Sequence, residues 1–160
     1  MFTTSSAWKS SHTTFGFMLS QHKYINDLLT RFQMHEARPT PTPLTSTTRL
    51  TLSTGTQPAD ATLYRQVVGA LQYLVTTFPD VSFVVNKLSQ YMHAPTNEHW
   101  QHVKRLPRYI AGTRTVGLQI RRQSTPLPLR VFSDSNLAGD LEDRTSTSGF
   151  LIYLGDTLVS

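Results

Sequence analysis

The alternation of hydrophobic and polar residues divides the N-terminal half of the chain into one extended segment and several helical ones. Residues 15–21 predict a short strand, and residues 22–32 place apolar side chains on one face at helical spacing. Between residues 64 and 75 the apolar positions recur at intervals of three and four, which predicts a helix with one buried stripe. Gly69 and Ala70 beside this stripe favour the close approach of a neighbouring helix.

Capping signals predict two more helices. Pro79 and Asp80 fit the first turn of a helix, where proline needs no amide partner and an acid meets the positive end of the dipole. This helix is expected to end before Pro95. Thr96 is a good N-cap for a third helix, which we expect to finish at Gly112, because glycine is common at helix ends.

Pro107 falls in the interior of that third helix. Its ring removes the amide that would bond to the carbonyl of Val103 and collides with the preceding turn, at a cost of roughly 3 kcal/mol. We therefore expect a kink or a break at this position. Both a kink that the fold requires and a lesion in a decaying sequence are consistent with it.

After residue 112 the hydrophobic period changes to that of strands. Residues 116–122 and 127–132 predict two strands, and residues 150–154 and 157–160 predict two more around a Gly155-Asp156 turn. The sequence stops inside the last of these, so we expect a truncated mixed β-sheet with an open edge. The predicted fold class is α+β, with an N-terminal strand and helix, a three-helix bundle and this sheet.

Composition sharpens the division into segments. Residues 1–14 are rich in serine and threonine and predict a disordered start, whereas residues 40–60 predict a polar connector. The helical bundle is expected over 63–113 and the sheet over 114–160. No run of 18 apolar residues is present, which excludes a membrane span, and the lack of cysteine excludes disulfides and thiolate metal sites.

Charge is unevenly distributed in this basic chain, which has a net charge of +5. No acid occurs from His99 to Ser133, whereas five acids and one base follow from residue 134 onward. Lys104, Arg105 and Arg108 lie within about one helical turn of each other, and Arg114 follows the predicted helix. Such a surface binds phosphates without reading bases, and an ordinary solvated face is the alternative.

Metal chemistry has weaker support in the sequence. Asp134 follows a predicted apolar strand, where a carboxylate can bind Mg²⁺, but two-metal phosphodiester chemistry needs several carboxylates and aspartate also serves in caps and turns. The acids of residues 140–143 are expected to be solvated. His99 and His102 share a helical side without a third ligand or an HExxH pattern. No phosphate-binding glycine loop is present, so no small-molecule substrate is evident.

A series of short motifs runs through the chain from about residue 15 to residue 160. They include Leu19-Ser20-Gln21, Lys23-Tyr24-Ile25, Val68-Gly69-Ala70-Leu71-Gln72-Tyr73-Leu74, Pro79-Asp80-Val81, His99-Trp100, Ser133-Asp134 and Ser146-Thr147-Ser148-Gly149. Each motif is weak by itself, but their common order is specific. In this order the chain resembles the Pol polyprotein of copia-type long-terminal-repeat retrotransposons.

The resemblance implies a role for each segment. Residues 15–62 would be the end of a reverse transcriptase palm with its connector, residues 63–113 the helical thumb and connection, and residues 114–160 the start of a ribonuclease H domain. The thumb would hold the backbone of an RNA–DNA hybrid or DNA duplex, and Asp134 would match the first Mg²⁺-binding acid of ribonuclease H. The remaining catalytic acids would lie before residue 1 and after residue 160, and the protein would be cytoplasmic or nuclear.

Departures from the family pattern leave three hypotheses open. This chain departs from the usual family residue at four positions: it has Phe78 in place of Arg, Pro107 in place of a helix former, Asn136 in place of Asp and Leu137 in place of Trp. These departures favour a mutated copy. The first hypothesis is a fragment without catalysis of its own that retains nucleic-acid binding. The second is a section of an active RNA-directed DNA polymerase and ribonuclease H, in which Asp134 binds Mg²⁺. The third is a non-functional relic or a structural interaction module.

Overall fold

The computed structural model describes residues 8–45, 50, 57–123, 126–136 and 146–159. Over these ranges the chain forms helices and small sheets, as the α+β prediction requires. The elements in chain order are β1 (Lys9–Thr13), β2 (Gly16–Ser20), α1 (His22–Arg31), α2 (Ala61–Gln72), a 3-10 turn (Pro79–Val81), α3 (Ser82–Ser89), α4 (Asn97–Thr113), β3 (Leu118–Arg121), β4 (Leu129–Asn136), β5 (Thr147–Leu154) and β6 (Thr157–Leu158).

These elements belong to two units. The first consists of the described residues of Met1–Lys9 and Leu19–Leu118, and the second of those of Ser10–Met18 and Gln119–Ser160. Helices α1 to α4 all lie in the first unit. None of the described helices combines the length and apolar character that a membrane crossing requires.

One hydrophobic core holds the first unit together. Phe78, one of the departures noted above, is buried in this core. The predicted apolar stripes of the helices supply most of its other members, which include Ile25, Leu28 and Leu29 of α1, Tyr64, Val67, Val68 and Leu71 of α2, Val84, Val85 and Leu88 of α3, and Val103, Leu106 and Ile110 of α4. The hydroxyl of Tyr64 donates to the carbonyl of Leu88 at 2.9 Å, so its polar end is also satisfied inside the core.

Helix α2 begins earlier than the apolar stripe indicated because of its N-cap. The Asp60 carboxylate accepts hydrogen bonds from the backbone amides of Thr62 (2.8 Å) and Leu63 (3.0 Å). This cap satisfies two amides that have no partner inside the helix. The prediction of a close helix contact at Gly69 is wrong, because a side chain added there would meet nothing within 4 Å.

Helix α4 starts with the predicted cap. The Thr96 hydroxyl accepts from the His99 amide at 3.4 Å, and His99 Nδ1 accepts from the Thr96 amide at 3.1 Å. This reciprocal pair is a capping box in which histidine takes the place of the usual Glu or Gln. It fixes the start of the helix that carries the basic residues.

The rest of α4 differs from its prediction at two positions. The helix continues through Pro107, so the predicted alternative of a break is wrong. The ring of Pro107 is buried, and this burial offsets part of the lost backbone hydrogen bond. Gly112 does not terminate the helix, which continues to Thr113. Its missing side chain instead admits Pro39, whose Cβ would lie 3.1 Å from a Cβ at position 112. The glycine is therefore explained by close packing rather than by a helix end.

The first sheet has the strand order β1-β2-β3. Strand β1 lies at residues 9–13, inside the stretch expected to be disordered, because the chain turns back at residues 14–15 and pairs with β2. Gly16 completes this turn with a φ of 139°, a conformation that favours glycine. Residues 1–7 of the expected disordered start, and residues 46–49 and 51–56 of the connector, lie outside the described residues.

The second sheet has the order β4-β5-β6, and its described strand pairs are antiparallel, where a mixed sheet was expected. The β5–β6 pair is joined by the predicted turn, with Gly155 at a φ of 59°. Arg130 supports this turn because its guanidinium bonds to the Gly155 carbonyl and to the Asp156 carboxylate. Strand β4 continues to Asn136, so Asp134 lies within the strand rather than after it, opposite Gly149.

Candidate nucleic-acid interface

The predicted basic residues of α4 border a concave surface of the first unit. We call it the α4 cleft; it is lined by Met34, Thr45, Gln101, His102, Lys104, Arg105 and Arg108. Three of the four predicted nucleic-acid-binding residues are therefore brought together. The fourth, Arg114, is not among the lining residues, since it follows the end of α4.

Arg105 and Arg108 also hold the start of the connector and the residues just before it against α4, in a stretch that contains Pro39, Pro41 and Pro43. Arg105 donates from Nε to the carbonyl of Thr42 (3.0 Å) and from Nη2 to the hydroxyl of the same residue (2.9 Å). Arg108 donates from Nε to the carbonyl of Arg38 at 2.8 Å. A guanidinium has five N–H donors and keeps its full charge when it bonds to a neutral acceptor, so both residues retain donors and charge for a phosphate.

Lys104 differs from these arginines. Its side chain is exposed, and it forms no hydrogen bond or ion pair in the part of the chain that the structure describes. Arg114 is also exposed; its backbone carbonyl lies 3.2 Å from His22 Nδ1, which leaves its guanidinium outside that contact. Lys104 is thus the cation of the α4 cleft whose side chain can be removed without breaking a hydrogen bond or an ion pair among the described residues.

No acid is found among the described residues that line the α4 cleft, and the histidine among them adds little charge at neutral pH. Burial lowers the pKa of His102, and the nearby His99 and Arg105 lower it further, against the opposing effect of Glu98. The positive potential of the cleft at pH 7 therefore comes from Lys104 and the two arginines.

The aromatic neighbours of the basic residues have structural roles. Trp100 and Tyr109 are half-buried and pack against the core. The hydroxyl of Tyr109 donates to the carboxylate of Asp80, and this hydrogen bond, followed by burial, raises the pKa of Tyr109 to about 12. The bond links α4 to the turn that precedes α3.

The predicted histidine pair does not form a metal site. His99 is fully buried, takes part in the capping box and stacks on the ring of Tyr91 at 4.0 Å. His102 lines the α4 cleft instead. Among the described residues, no group of three or more histidines and acids is placed to hold a metal ion.

Asp134 is exposed on β4, and it belongs to no group of three or more described histidines and acids that could hold a metal ion. The acids of residues 140–143, like Leu137, lie outside the described residues, and only the backbone of Asn136 is described. A single carboxylate does not fit a two-metal site, which requires several oxygen ligands around ions about 4 Å apart. The described residues at Asp134 therefore do not by themselves provide the ligands that the Mg²⁺ expected from the resemblance would need.

The contacts between α4 and the connector were not foreseen from the sequence. They join residues 63 and 70 positions apart, and no local pattern marks them. The only hint is the coincidence of a proline-rich stretch, which exposes carbonyl groups, with a basic helix elsewhere in the chain.

Comparison with known proteins gives several relatives, although the chain matches no protein-family model and no solved structure. It is 48% identical over 145 residues to the retrovirus-related Pol polyprotein from transposon RE2 of Arabidopsis thaliana, covering 91% of this chain and 10% of the polyprotein. It is 35% identical over 151 residues to the retrovirus-related Pol polyprotein from transposon TNT 1-94 of Nicotiana tabacum, and the match covers 89% of this chain and 11% of that polyprotein.

A shorter relative covers much the same segment. An uncharacterized mitochondrial protein of Arabidopsis thaliana is 41% identical over 145 residues, which are 91% of this chain and 60% of that protein. The chain thus spans about a tenth of the length of the transposon polyproteins and more than half of this shorter protein.

Proposed function

This chain belongs to the copia-type family of retrotransposon Pol polyproteins, and we propose that it is a section of the reverse transcriptase and ribonuclease H part that binds nucleic-acid duplexes without catalysis of its own. The ligand is the sugar–phosphate backbone of an RNA–DNA hybrid or a DNA duplex. The binding surface is the α4 cleft, and the binding does not depend on base sequence.

One observation carries this proposal: the described lining of the α4 cleft places three cations and no acid on one concave surface. Lys104, Arg105 and Arg108 all come from less than two turns of one helix, so they approach adjacent phosphates as a unit. Contacts of this kind position a duplex but carry no sequence information. They also release counterions, which makes the affinity strongly dependent on salt.

The described surroundings of Asp134 support the non-catalytic part of the proposal. Cleavage of a phosphodiester by two metal ions needs several carboxylates, and the described residues form no group of three or more acids and histidines at Asp134, which lies exposed on β4. The proposal therefore assigns the chain a binding role and leaves polymerisation and hydrolysis to the longer polyprotein.

The test is fluorescence anisotropy with a labelled 20-base-pair DNA duplex between about 50 and 200 mM salt. If three cations each neutralise one phosphate, the slope of log K against log salt is about −2.7, and the affinity falls about 40-fold over this range. Lys104→Ala should reduce the slope by about 1 and weaken binding to different sequences equally. A second, RNA–DNA hybrid probe of the same length should behave in the same way.

Lys9→Ala is the matched control, because it removes the same charge from an exposed position on β1, outside the α4 cleft. It should leave the slope nearly unchanged. Binding that is insensitive to salt, or an equal loss with Lys9→Ala and Lys104→Ala, would show that the α4 cleft is not the duplex site.

A further inference from the structure

A second surface, in the other unit, combines an exposed aromatic ring with two arginines. We call it the hairpin-tip patch; it is concave and is lined by Thr14, Phe15, Gln119, Arg121 and Arg122. All five residues belong to the second unit, and none is part of the α4 cleft. Phe15 lies at the turn between β1 and β2 and is 72% exposed, which is unusual for a phenyl ring.

The backbone holds this ring in a defined place. The amide of Arg122 donates to the carbonyl of Phe15 at 2.7 Å, which joins the tip of the hairpin to the end of β3. Gly16 permits this approach, since a Cβ there would lie 2.2 Å from the Ile120 carbonyl oxygen and 2.8 Å from the Arg122 nitrogen. The backbone that carries the exposed ring is therefore held beside the backbone of Arg122.

A side chain adds to this attachment. Gln119 donates from Nε2 to the hydroxyl of Thr13 and to the carbonyl of Phe17, both at 3.1 Å. These bonds tie β3 to both strands of the hairpin. The hairpin-tip patch is thus preorganised, and little ordering is required when a ligand binds.

The charges of the patch are unpaired. Arg121 and Arg122 are exposed, and within the described residues their guanidinium groups form no hydrogen bond or ion pair. The lining of the patch that the structure describes contains no acid. A flat apolar ring beside two unpaired guanidinium groups matches a ligand that has both a planar face and negative charge.

We propose that the hairpin-tip patch binds single-stranded nucleic acid, with one unpaired base stacked on Phe15 and the adjacent phosphates bound by Arg121 and Arg122. An unpaired strand offers the face of its base, which a duplex keeps stacked inside. Charge complementarity selects this ligand, because the arginines require an anion and the phenyl ring requires a planar group next to it. The patch is independent of duplex binding at the α4 cleft.

The experiment measures the affinity of the full chain for a labelled 12-nucleotide oligothymidine. Phe15→Ala should weaken binding at least about fivefold, since stacking on an aromatic side chain is sequence-tolerant and strong. Phe15→Trp should retain the affinity, and its fluorescence should be quenched when the oligonucleotide binds. Phe83→Ala is the matched control, because Phe83 is also an exposed phenylalanine, 60% exposed on α3, and lies outside the patch.

The arginines are tested by charge. The double variant Arg121→Ala, Arg122→Ala should reduce the salt slope for oligothymidine by about 1.4, from two single-strand contacts. The double variant Lys9→Ala, Arg31→Ala removes two charges outside the patch and should leave the salt slope for oligothymidine unchanged. Equal binding of wild type and Phe15→Ala, or equal binding of oligothymidine and an abasic oligonucleotide of the same length, would overturn the stacking proposal. If polyglutamate at equal concentration displaced both oligothymidine and the abasic oligonucleotide, the patch would be a general anion-binding surface and the stacking proposal would also be wrong.

Lys104→Ala separates this proposal from the first. It should weaken binding of the duplex and leave oligothymidine binding unchanged, whereas Phe15→Ala should do the reverse. If the chain bound neither the DNA duplex nor the RNA–DNA hybrid but still bound oligothymidine, the proposed function would be refuted and the hairpin-tip patch supported. Oligothymidine binding that depends on Lys104 and not on Phe15 would refute the patch alone.

Discussion

Replacement of Pro107 by alanine should raise the free energy of unfolding of the helical unit. Pro107 lies in the interior of α4, six residues before its end at Thr113, and the helix is continuous on both sides of it. It has no amide to donate to the carbonyl of Val103. Alanine would restore this hydrogen bond and remove the steric conflict of the ring with the preceding turn.

The magnitude is the difference between two opposing effects. A proline in a helix interior costs about 3 kcal/mol relative to alanine. Its ring is buried here, and alanine lacks two of its methylene groups, which together stabilise the fold by about 1.6 kcal/mol. The net gain is therefore about 1.4 kcal/mol, or an increase in Tm of roughly 3–6 °C for a chain of this size.

The assay is urea unfolding followed by circular dichroism at 222 nm, which reports on the first unit because it contains all four described helices. Pro95→Ala is the control: Pro95 is also buried but precedes the N-cap of α4, so alanine loses the ring contacts without gaining a helical bond. We expect the midpoint to rise for Pro107→Ala and to fall for Pro95→Ala, with unchanged m-values. A midpoint for Pro107→Ala at or below that of the wild type would refute the reasoning, since packing of the ring would then outweigh the helical hydrogen bond.

Three further variants test other contacts. Asp60→Ala removes the N-cap of α2 and should lower the free energy of unfolding by about 1 kcal/mol in the same urea assay; no change would show that the cap is dispensable. Gly16→Ala should open the hairpin tip, because a Cβ clashes with the Ile120 carbonyl, and the Arg122 amide should lose hydrogen-exchange protection, whereas retained protection would contradict the clash. Burial lowers the pKa of His102 below its usual 6.5, so the folded chain binds fewer protons than the unfolded chain and loses stability as the pH falls below about 6.5. His102→Gln should lessen that loss between pH 7 and 5 in pH-dependent urea unfolding, and an identical pH profile would argue against it.

Features that depend on neighbouring residues could be predicted from the sequence. The apolar stripes of α2 and α3, the cap at Thr96 and the turn at Gly155 all appear in the structure, with helix ends shifted by a few residues. Each is determined by spacing or by one residue's conformational preference. The clustering of Lys104, Arg105 and Arg108 was predictable for the same reason, because one helix carries all three.

Features that depend on distant contacts could not be predicted. Gly112 was interpreted as a helix end, but its role is to admit Pro39, which lies 73 positions earlier in the chain. Residues 9–13 carry no strand-like pattern, and their strand exists because β2 pairs with them. Burial of Pro107 likewise depends on what packs around α4, so its local penalty alone predicted a kink or a break, and the helix has no break there.

Hydrogen bonds to residues 38 and 42 orient two of the basic side chains of α4. Arg105 and Arg108 bond to the carbonyl oxygens of Thr42 and Arg38, and Arg105 also bonds to the Thr42 hydroxyl; these acceptors are neutral and orient the guanidinium groups without cancelling their charge. An acid in the same place would have fixed the side chains equally well but removed the positive potential. The same bonds make alanine variants of either arginine ambiguous, because they alter both folding and charge. Lys104 has no such contact in the described chain, so its removal tests binding alone, and the proposed function should be judged on that residue.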